Sequence, residues 1–157
     1  MKKLIFLFGF LVLISCKKNT KEAFVNQVVI QDNSDFFTKT EEQKLSEKII
    51  NYEKLSTNQI CVYTIDSVPN NETALYHASN LANSLGVGTK EKNNGLLILI
   101  SRYDRKMAIA TGYGTEKIIT DPIAKTIIEQ TIVPRFKDSL YFEGINNGLD
   151  SIIKKWK

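Results

Sequence analysis

The chain has 157 residues, of which 43% are hydrophobic and 24% are charged, and it carries a formal net charge of +4. This length predicts one domain that buries a substantial core. The Lys and Arg residues form no dense stripe with interleaved aromatic residues, which argues against a nucleic-acid-binding protein. The single histidine argues against a His-rich zinc site and against a Ser-His-Asp triad.

The first residues have the pattern of an export signal. Lys2 and Lys3 precede an apolar run from Leu4 to Ile14, which is too short to span a bilayer, since that takes about 20 residues. The run ends at Leu13-Ile14-Ser15-Cys16, which resembles a bacterial lipobox, where cleavage makes the cysteine the lipid-bearing N-terminus. The alternative is a buried N-terminal helix with an incidental cysteine.

The export signal sets the domain organisation that we predict. Residues 1–15 are the signal peptide, residues 16–23 are the lipidated Cys16 and a polar tether, and residues 24–157 are the folded domain. Loss of the signal peptide removes two lysines and leaves a net charge of about +2. We expect a monomer in the cell envelope, anchored to a membrane by lipid, facing the periplasm or the outer surface, and contacting other envelope proteins.

Strand and helix patterns alternate along the rest of the chain. Thr38 and Glu41 form a capping box, Gly86 is a helix stop, and Asp121-Pro122 is an N-cap followed by proline. The predicted elements are strand 24–32, helix 39–55, strand 58–65, a helix ending before Gly86, strands 96–101 and 107–112, a helix from Asp121 ended by Pro134, and helix 142–156. The residues predicted at helical spacing on inward faces are Leu45, Ile49, Tyr52, Leu55, Leu75, Ala78, Ala82, Leu85, Ile123, Ile127, Ile128, Thr131, Ile145, Leu149, Ile152 and Trp156.

The strand patterns determine the predicted fold. The continuous apolar run at 96–101 is typical of a central strand in a βαβ unit. The connection to strand 107–112 is too short for a crossover, so these two strands form an antiparallel hairpin. The element order predicts an α/β protein, a three-layer α/β/α sandwich with a small mixed sheet, helices on both faces and a Rossmann-like topology.

Aspartates follow three of the predicted strands. Asp32, Asp66 and Asp104 converge at the carboxyl edge of the sheet if the first strand is parallel, and Asp35 is close in sequence. Their oxygens suit Ca²⁺ or Mg²⁺, and Arg105 beside them suits a phosphate oxygen. The alternative is that Asp32 and Asp104 are turn residues that bond their own backbone.

The opposite edge of the predicted sheet collects glycines. Asn94-Gly95, Gly112-Tyr113-Gly114 and Glu116 lie there, and the glycines favour turns and close backbone approach. A phosphate cradle is disfavoured, because no Lys-Ser or Lys-Thr pair follows as in a P-loop. We expect Asp121 to cap its helix and His77 to lie on a solvated helix face.

Other residues are interpreted from their local surroundings. Cys61 lies in an apolar stretch, so we expect it to be buried as a small hydrophobe and to form no disulfide. For Tyr103, Tyr113 and Tyr141 two readings stay open, which are exposed aromatics at protein contacts and packing at the rim of the core.

A set of short motifs resembles one known family. The motifs are Asn94-Gly95, Asp104-Arg105-Lys106, Gly112-Tyr113-Gly114 with Glu116, Thr120-Asp121, Pro134-Arg135-Phe136, Tyr141 and Gly144. Together they resemble the TPM domain family, which includes thylakoid-lumen acid phosphatase-like proteins and bacterial envelope proteins, over residues 24–155. Asn93 stands where that family often has Asp. The resemblance implies an association with divalent cations, calcium especially.

Two functions from different classes follow from these residues and this resemblance. The first is an envelope-anchored module that binds a divalent cation and docks onto membrane proteins during their assembly or maintenance. The second is a metal-dependent acid phosphatase that acts on phosphomonoesters, with Asp104 and Arg105 as the candidate catalytic residues. The sequence offers no Asp-x-Asp, no His nucleophile and no Cys-x5-Arg, which favours the binding module.

Overall fold

The computed structural model describes residues 29–157. The predicted signal peptide, the lipid attachment at Cys16, the tether and residues 24–28 of the first predicted strand lie outside the described residues. No helix in the described part of the chain is long and apolar enough to cross a membrane.

Four strands form one mixed sheet in the order β1-β2-β3-β4. The strands are β1 (Ile30–Asp32), β2 (Gln59–Ile65), β3 (Gly95–Ser101) and β4 (Lys106–Thr111). β1, β2 and β3 run parallel, with Ile30 opposite Val62 and Val62 opposite Ile98. β4 pairs antiparallel with β3, so the predicted hairpin is confirmed.

The helices surround this sheet, and α1, α2 and α6 lie close to their predicted bounds. They are α1 (Lys39–Ser56), α2 (Ala74–Leu85), α3 (Tyr113–Glu116), α4 (Asp121–Thr126), a π-helical segment (Ile127–Ile132), α5 (Val133–Lys137) and α6 (Tyr141–Lys155). Thr38 and Glu41 form the predicted capping box of α1. Gly86 ends α2 in the left-handed conformation, as predicted.

Alternate residues of the strands face two separate cores, because successive side chains of a strand point to opposite faces of the sheet. On one face Val62 and Ile98 pack against α1, the π-helical segment and α6. On the other face Cys61 and Leu97 pack against α2. The three-layer α/β/α fold predicted from the sequence is therefore confirmed.

The two βαβ connections lie on opposite faces of the sheet. β1, β2 and β3 are adjacent in chain order, while α1 and α2, which connect them, belong to different cores. The two crossovers therefore have opposite hands, and one departs from the right-handed rule. The chain leaves β1 towards one face and β2 towards the other, and in open α/β sheets a reversal of this kind marks a crevice between the carboxyl ends of the strands.

Two residues predicted to face the core are exposed instead. Leu55 is 89% exposed and Leu75 is 48% exposed. Leu55 lies in the last turn of α1, where the buried stripe of Leu45, Ile49 and Tyr52 leads to Ser56 at i+4 and leaves Leu55 on the flank. Leu75 lies in the first turn of α2, to one side of the fully buried Ala78.

The helical region around Pro134 differs from the prediction in three ways. Thr120, and not Asp121, is the N-cap of α4, and Asp121 lies in its first turn. Pro134 does not end the helix, which continues through α5 to Lys137. The π-helical segment before Pro134 widens the hydrogen-bond ladder and accommodates a residue that has no N–H. The wider turn also buries Ile132, five residues after Ile127, in place of the predicted Thr131.

Candidate functional site at the carboxyl edge of the sheet

The three predicted aspartates lie along the carboxyl edge of the sheet. Asp32 is the last residue of β1, Asp66 follows β2, and Asp104 lies in the turn between β3 and β4. β1 and β2 flank the crevice where the two connections diverge. Crevices of this kind are the usual ligand sites of open α/β sheets.

Asp32 organises the turn that leads into α1. Its Oδ1 accepts hydrogen bonds from Phe36 N at 3.1 Å and from Thr64 Oγ1 at 2.7 Å, and its Oδ2 accepts one from Phe37 N at 2.8 Å. Both carboxylate oxygens are therefore held by donors of the protein. Asp32 therefore bonds the backbone of its own turn, which is the alternative to metal binding given in the sequence analysis.

Asp66 is exposed and is joined to Asp32 through two hydroxyl groups. Ser34 Oγ donates to Asp66 Oδ1 at 2.9 Å. Ser34 N donates to Thr64 Oγ1 at 3.1 Å, and this hydroxyl in turn donates to Asp32. The crevice between β1 and β2 is thus bridged by hydrogen bonds that fix the two carboxylates relative to each other.

Asp104 is held at the next position along the edge. Its Oδ2 accepts hydrogen bonds from Val68 N at 2.6 Å and from Ser101 Oγ at 3.0 Å. The hydrogen bond from the Val68 backbone, helped by Ser101 and by the charge of Lys106, holds the pKa of Asp104 below its usual value. Asp104 is therefore a fixed anion that links the β3–β4 turn to the segment after β2.

The lowered pKa of Asp104 makes a prediction about acid stability. The ionised carboxylate is favoured in the folded state, so its contribution is complete above the unfolded pKa of about 4 and is lost as the pH falls through the lower folded value. Asp104→Asn should therefore be less stable than the natural chain at neutral pH, and the gap should close in acid. Urea unfolding of both proteins across the acid range measures this difference in the free energy of unfolding. A difference that does not change with pH would contradict the prediction.

The aspartates do not form a complete metal cage. Within residues 29–157 no group of three or more His, Cys, Asp or Glu side chains is placed to hold a metal ion. Both carboxylate oxygens of Asp32 accept hydrogen bonds from protein donors. Asp66 is exposed and accepts one hydrogen bond, from Ser34 Oγ. The residues present therefore offer a partial set of oxygen ligands, which a cation would have to complete with water.

A cleft of about 500 Å³ adjoins this edge. We call it the basic cleft, because its lining includes the cationic residues Arg102, Arg105, Lys106 and Lys137. Phe36, Phe136 and Tyr141 supply an aromatic wall. Arg105 was predicted from the sequence, whereas the contributions of Arg102 and of Lys137, which comes from α5, were missed.

A protein-family model described as a TPM domain matches residues 30–155. The chain belongs to the TPM domain family. Solved structures with the same fold include the N-terminal domain of a protein from P. gingivalis (24% identity, 80% of each chain, TM-score 0.73) and BA42 from the psychrophilic bacterium Bizionia argentinensis (21% identity, 80% of this chain and 88% of that one, TM-score 0.67). A third is the N-terminal domain of cg2496 from Corynebacterium glutamicum (13% identity, 83% and 81%, TM-score 0.64). No curated protein matches the chain.

The glycine motifs of this TPM domain pack backbone against backbone at the amino edge of the sheet. Asn93 O accepts hydrogen bonds from Gly114 N at 3.0 Å and from Thr115 N at 3.3 Å, and Gly112 N donates to Gly95 O at 2.9 Å. A Cβ at Gly114 would collide with Lys92 O and Asn93 O. These residues close the amino edge, and Asn93 contributes its carbonyl group, which an Asp at this position would also supply.

The remaining candidate residues lie away from the carboxyl edge or at its rim. Cys61 is buried in the smaller core, and burial raises the pKa of its thiol to about 12. His77 lies in α2, its Nδ1 pairs with Glu72 Oε2 at 2.6 Å, and its side chain is only 24% exposed. Tyr103 and Tyr113 are exposed, at 71% and 81%, whereas Tyr141 is half-buried against Phe36 and Phe136. Tyr103 is therefore an exposed aromatic residue at the carboxyl edge, in the turn between β3 and β4.

Proposed function

We propose that this TPM domain is an interaction module of the cell envelope, tethered through a lipid on Cys16, and that its carboxyl edge binds a divalent cation, Ca²⁺ or Mg²⁺. The observation that supports the cation is the row of Asp32, Asp66 and Asp104, fixed by hydrogen bonds along one edge. Asp66 and Asp104 are the ligands in this proposal, and Asp32 fixes the turn before α1 and adds negative charge.

The placement of the reactive residues favours binding over catalysis. The thiol of Cys61 is buried and protonated at neutral pH, since its pKa is about 12. His77 lies in α2 and is paired with Glu72, apart from the aspartates. The carboxyl edge instead combines oxygen ligands with the exposed Tyr103, a combination that suits a contact surface.

A phosphatase activity remains the second candidate, because the basic cleft adjoins Asp104. Ser101 lines the cleft and donates its hydroxyl hydrogen bond to Asp104. Arg102 and Arg105 in the same cleft are residues that would hold phosphate oxygens. In that case a cation at the aspartates would neutralise the phosphate charge, and Asp104 would be required for turnover.

A cation titration tests the proposed function. With only two or three carboxylates and water as ligands, we expect weak binding, with a Kd of about 0.1–1 mM for Ca²⁺. Calcium and then magnesium are added to the isotope-labelled mature chain, and amide shifts are followed by NMR. The amide shifts should cluster at Asp66, Asp104 and their neighbours. The variant that combines Asp66→Asn and Asp104→Asn should bind the cation at least about 10-fold more weakly.

The control for this titration is Asp150→Asn, which removes the same charge from α6, where Asp150 pairs with Lys48. It should leave the cation affinity unchanged. Shifts that are scattered over all acidic residues, or absent at millimolar cation, would rule out the cation site. Hydrolysis of p-nitrophenyl phosphate by the same samples, lost in Asp104→Ala, would select the phosphatase instead.

A further inference from the structure

We propose that the basic cleft binds an acidic polypeptide segment that carries a large apolar side chain. This inference deepens the interaction module proposed above by naming the chemistry of its partner. It does not depend on the cation, since the cleft and the aspartate row use different side chains. The charges, the aromatic wall and two backbone conformations of the cleft support it.

The cations that line the cleft form no direct ion pair in the described part of the chain. Its cations are Arg102, Arg105, Lys106 and Lys137, and no Asp or Glu lines the cleft. The ion pairs that residues 29–157 do form lie elsewhere, between Lys39 and Glu42, Lys48 and Asp150, His77 and Glu72, and Lys125 and Glu129. Of the cations that line the cleft, Lys106 also acts electrostatically on Asp104, and the net positive charge of the cleft attracts a ligand with several negative charges.

Arg102 is held in place without being neutralised. Its Nη2 donates to Asp35 O at 3.0 Å, and its guanidinium group lies over the Phe36 ring at 4.9 Å from the centroid. A carbonyl oxygen and a ring face orient a guanidinium group and leave its full charge and other N–H donors for a ligand. A carboxylate of the partner would meet donors that are already ordered, which lowers the entropic cost of binding.

The aromatic wall offers a place for an apolar side chain. The rings of Phe36 and Tyr141 lie edge to face at 5.0 Å, as do those of Phe136 and Tyr141 at 5.1 Å. Met107 and Val133 add aliphatic lining. Aromatic and aliphatic lining of this kind, next to cations, resembles the recognition of acidic motifs by Arg clusters, in which one apolar anchor fills the pocket.

Two non-glycine residues of the cleft adopt the left-handed conformation. Arg105 has φ 52° in the β3–β4 turn, and Ser139 has φ 60° after α5. Glycine or asparagine would adopt this conformation with less strain, so an arginine at position 105 lowers the stability of the turn. Strain of this type is typical of residues whose side chains serve a binding site.

The charge pattern favours a polypeptide over a small anion as the occupant. The cations extend from the hairpin turn, with Arg102, Arg105 and Lys106, to the end of α5, with Lys137, and the rings lie among them. A polypeptide in extended conformation presents acidic and apolar side chains in alternation, so it can meet separate cations and the aromatic wall together. A single small anion would leave the aromatic wall without an apolar partner.

The experiment uses the mature chain and a labelled peptide in which Glu and Asp alternate with Phe and Leu. Binding is measured by fluorescence polarisation in EDTA, and the site is located by amide shifts. We expect shifts at the basic cleft, binding that weakens with salt, no binding of the peptide with Lys in place of Glu and Asp, and a loss of about 10-fold when Phe is replaced by Ala.

Matched variants separate the cleft from general attraction to positive charge. Arg105→Gly and Lys137→Gln should each weaken binding by about 3- to 5-fold. A second groove lies at the amino edge of the sheet, and its lining includes Lys90 and Tyr113. Lys90→Gln removes the same charge from that groove and should leave peptide binding unchanged. The urea midpoint of Arg105→Gly should rise, because glycine relieves the strain at φ 52°, so its weaker binding cannot come from unfolding.

Three results would overturn the inference. They are absence of binding, an equal loss in Lys90→Gln, or displacement of the peptide by inorganic phosphate that produces the same shifts at the same affinity, which would mark a small-anion site. Cation shifts at Asp66 and Asp104 without peptide binding would overturn this inference and leave the proposed cation site intact. Peptide binding without cation shifts would overturn the proposed cation site and leave this inference intact.

Discussion

We expect Gly95→Ala to destabilise the domain by roughly 3–4 kcal/mol, as a substitution that forces backbone groups apart. A Cβ at this position would collide with the carbonyl oxygen of Val87, and it would lie 2.6 Å from the Val87 carbonyl carbon and 2.9 Å from Gly88 N. These are backbone atoms, so no side-chain rotation relieves the collision. Gly95 itself is held between β2 and β4, because it pairs with Gln59 and its carbonyl accepts from Gly112 N and from Thr115 Oγ1.

Gly86→Ala is the matched control for this substitution. Gly86 has φ 68°, and a Cβ there would meet no atom within 4 Å, so the only cost is that of the left-handed conformation, about 1 kcal/mol. Urea unfolding followed by circular dichroism gives both values under the same conditions. If the two variants lose equal stability, the close approach of Val87 to Gly95 is not a constraint on the fold.

The elements that the sequence predicted well depend on signals that lie within a few residues. The Thr38–Glu41 capping box and the Gly86 stop were confirmed because each is a local hydrogen-bonding or backbone requirement. The continuous apolar run of β3 was confirmed as central, because its residues are buried on both faces of the sheet. The π-helical segment was missed, since α-helical spacing fits Ile127 and Ile128 and nothing local reports the wider turn before Pro134.

The candidate site could be predicted from the sequence only in part. The placement of Asp32, Asp66 and Asp104 at one edge of the sheet follows from strand direction alone, and the parallel strands put them there. What each carboxylate bonds to could not be read from the sequence. Ser34 Oγ bonds to Asp66 and Val68 N bonds to Asp104 across 32 and 36 positions of the chain, whereas Ser101 bonds to Asp104 only three residues away.

The glycine motifs show how a family resemblance and a physical reading complement each other. The resemblance marked Gly95, Gly112 and Gly114 without assigning a role. The structure assigns them to backbone packing at the amino edge, where Gly112 N and Thr115 Oγ1 both donate to Gly95 O. The carboxyl edge is therefore where candidate ligand groups lie, and the amino edge holds the loops together.

Asp32→Ala should have the second large effect, a loss of about 3 kcal/mol in the free energy of unfolding. Asp32 accepts hydrogen bonds from Phe36 N, Phe37 N and Thr64 Oγ1, which place the turn before α1 and join the ends of β1 and β2. Phe37 and Thr64 are buried, so their donors would lose a partner and gain little water. Asp32→Asn keeps one acceptor oxygen and should lose about half as much.

Asp66→Ala is the control, because Asp66 is exposed and accepts a single side-chain hydrogen bond from Ser34 within the described residues. Asp66→Ala should cost less than about 1 kcal/mol in the free energy of unfolding. It should nevertheless weaken cation binding, since the carboxylate oxygens of Asp66 face solvent. Urea unfolding and the calcium titration of the same three variants separate the two roles. An Asp32→Ala protein that keeps its stability and loses only the cation would make Asp32 a metal ligand instead of the residue that organises the turn.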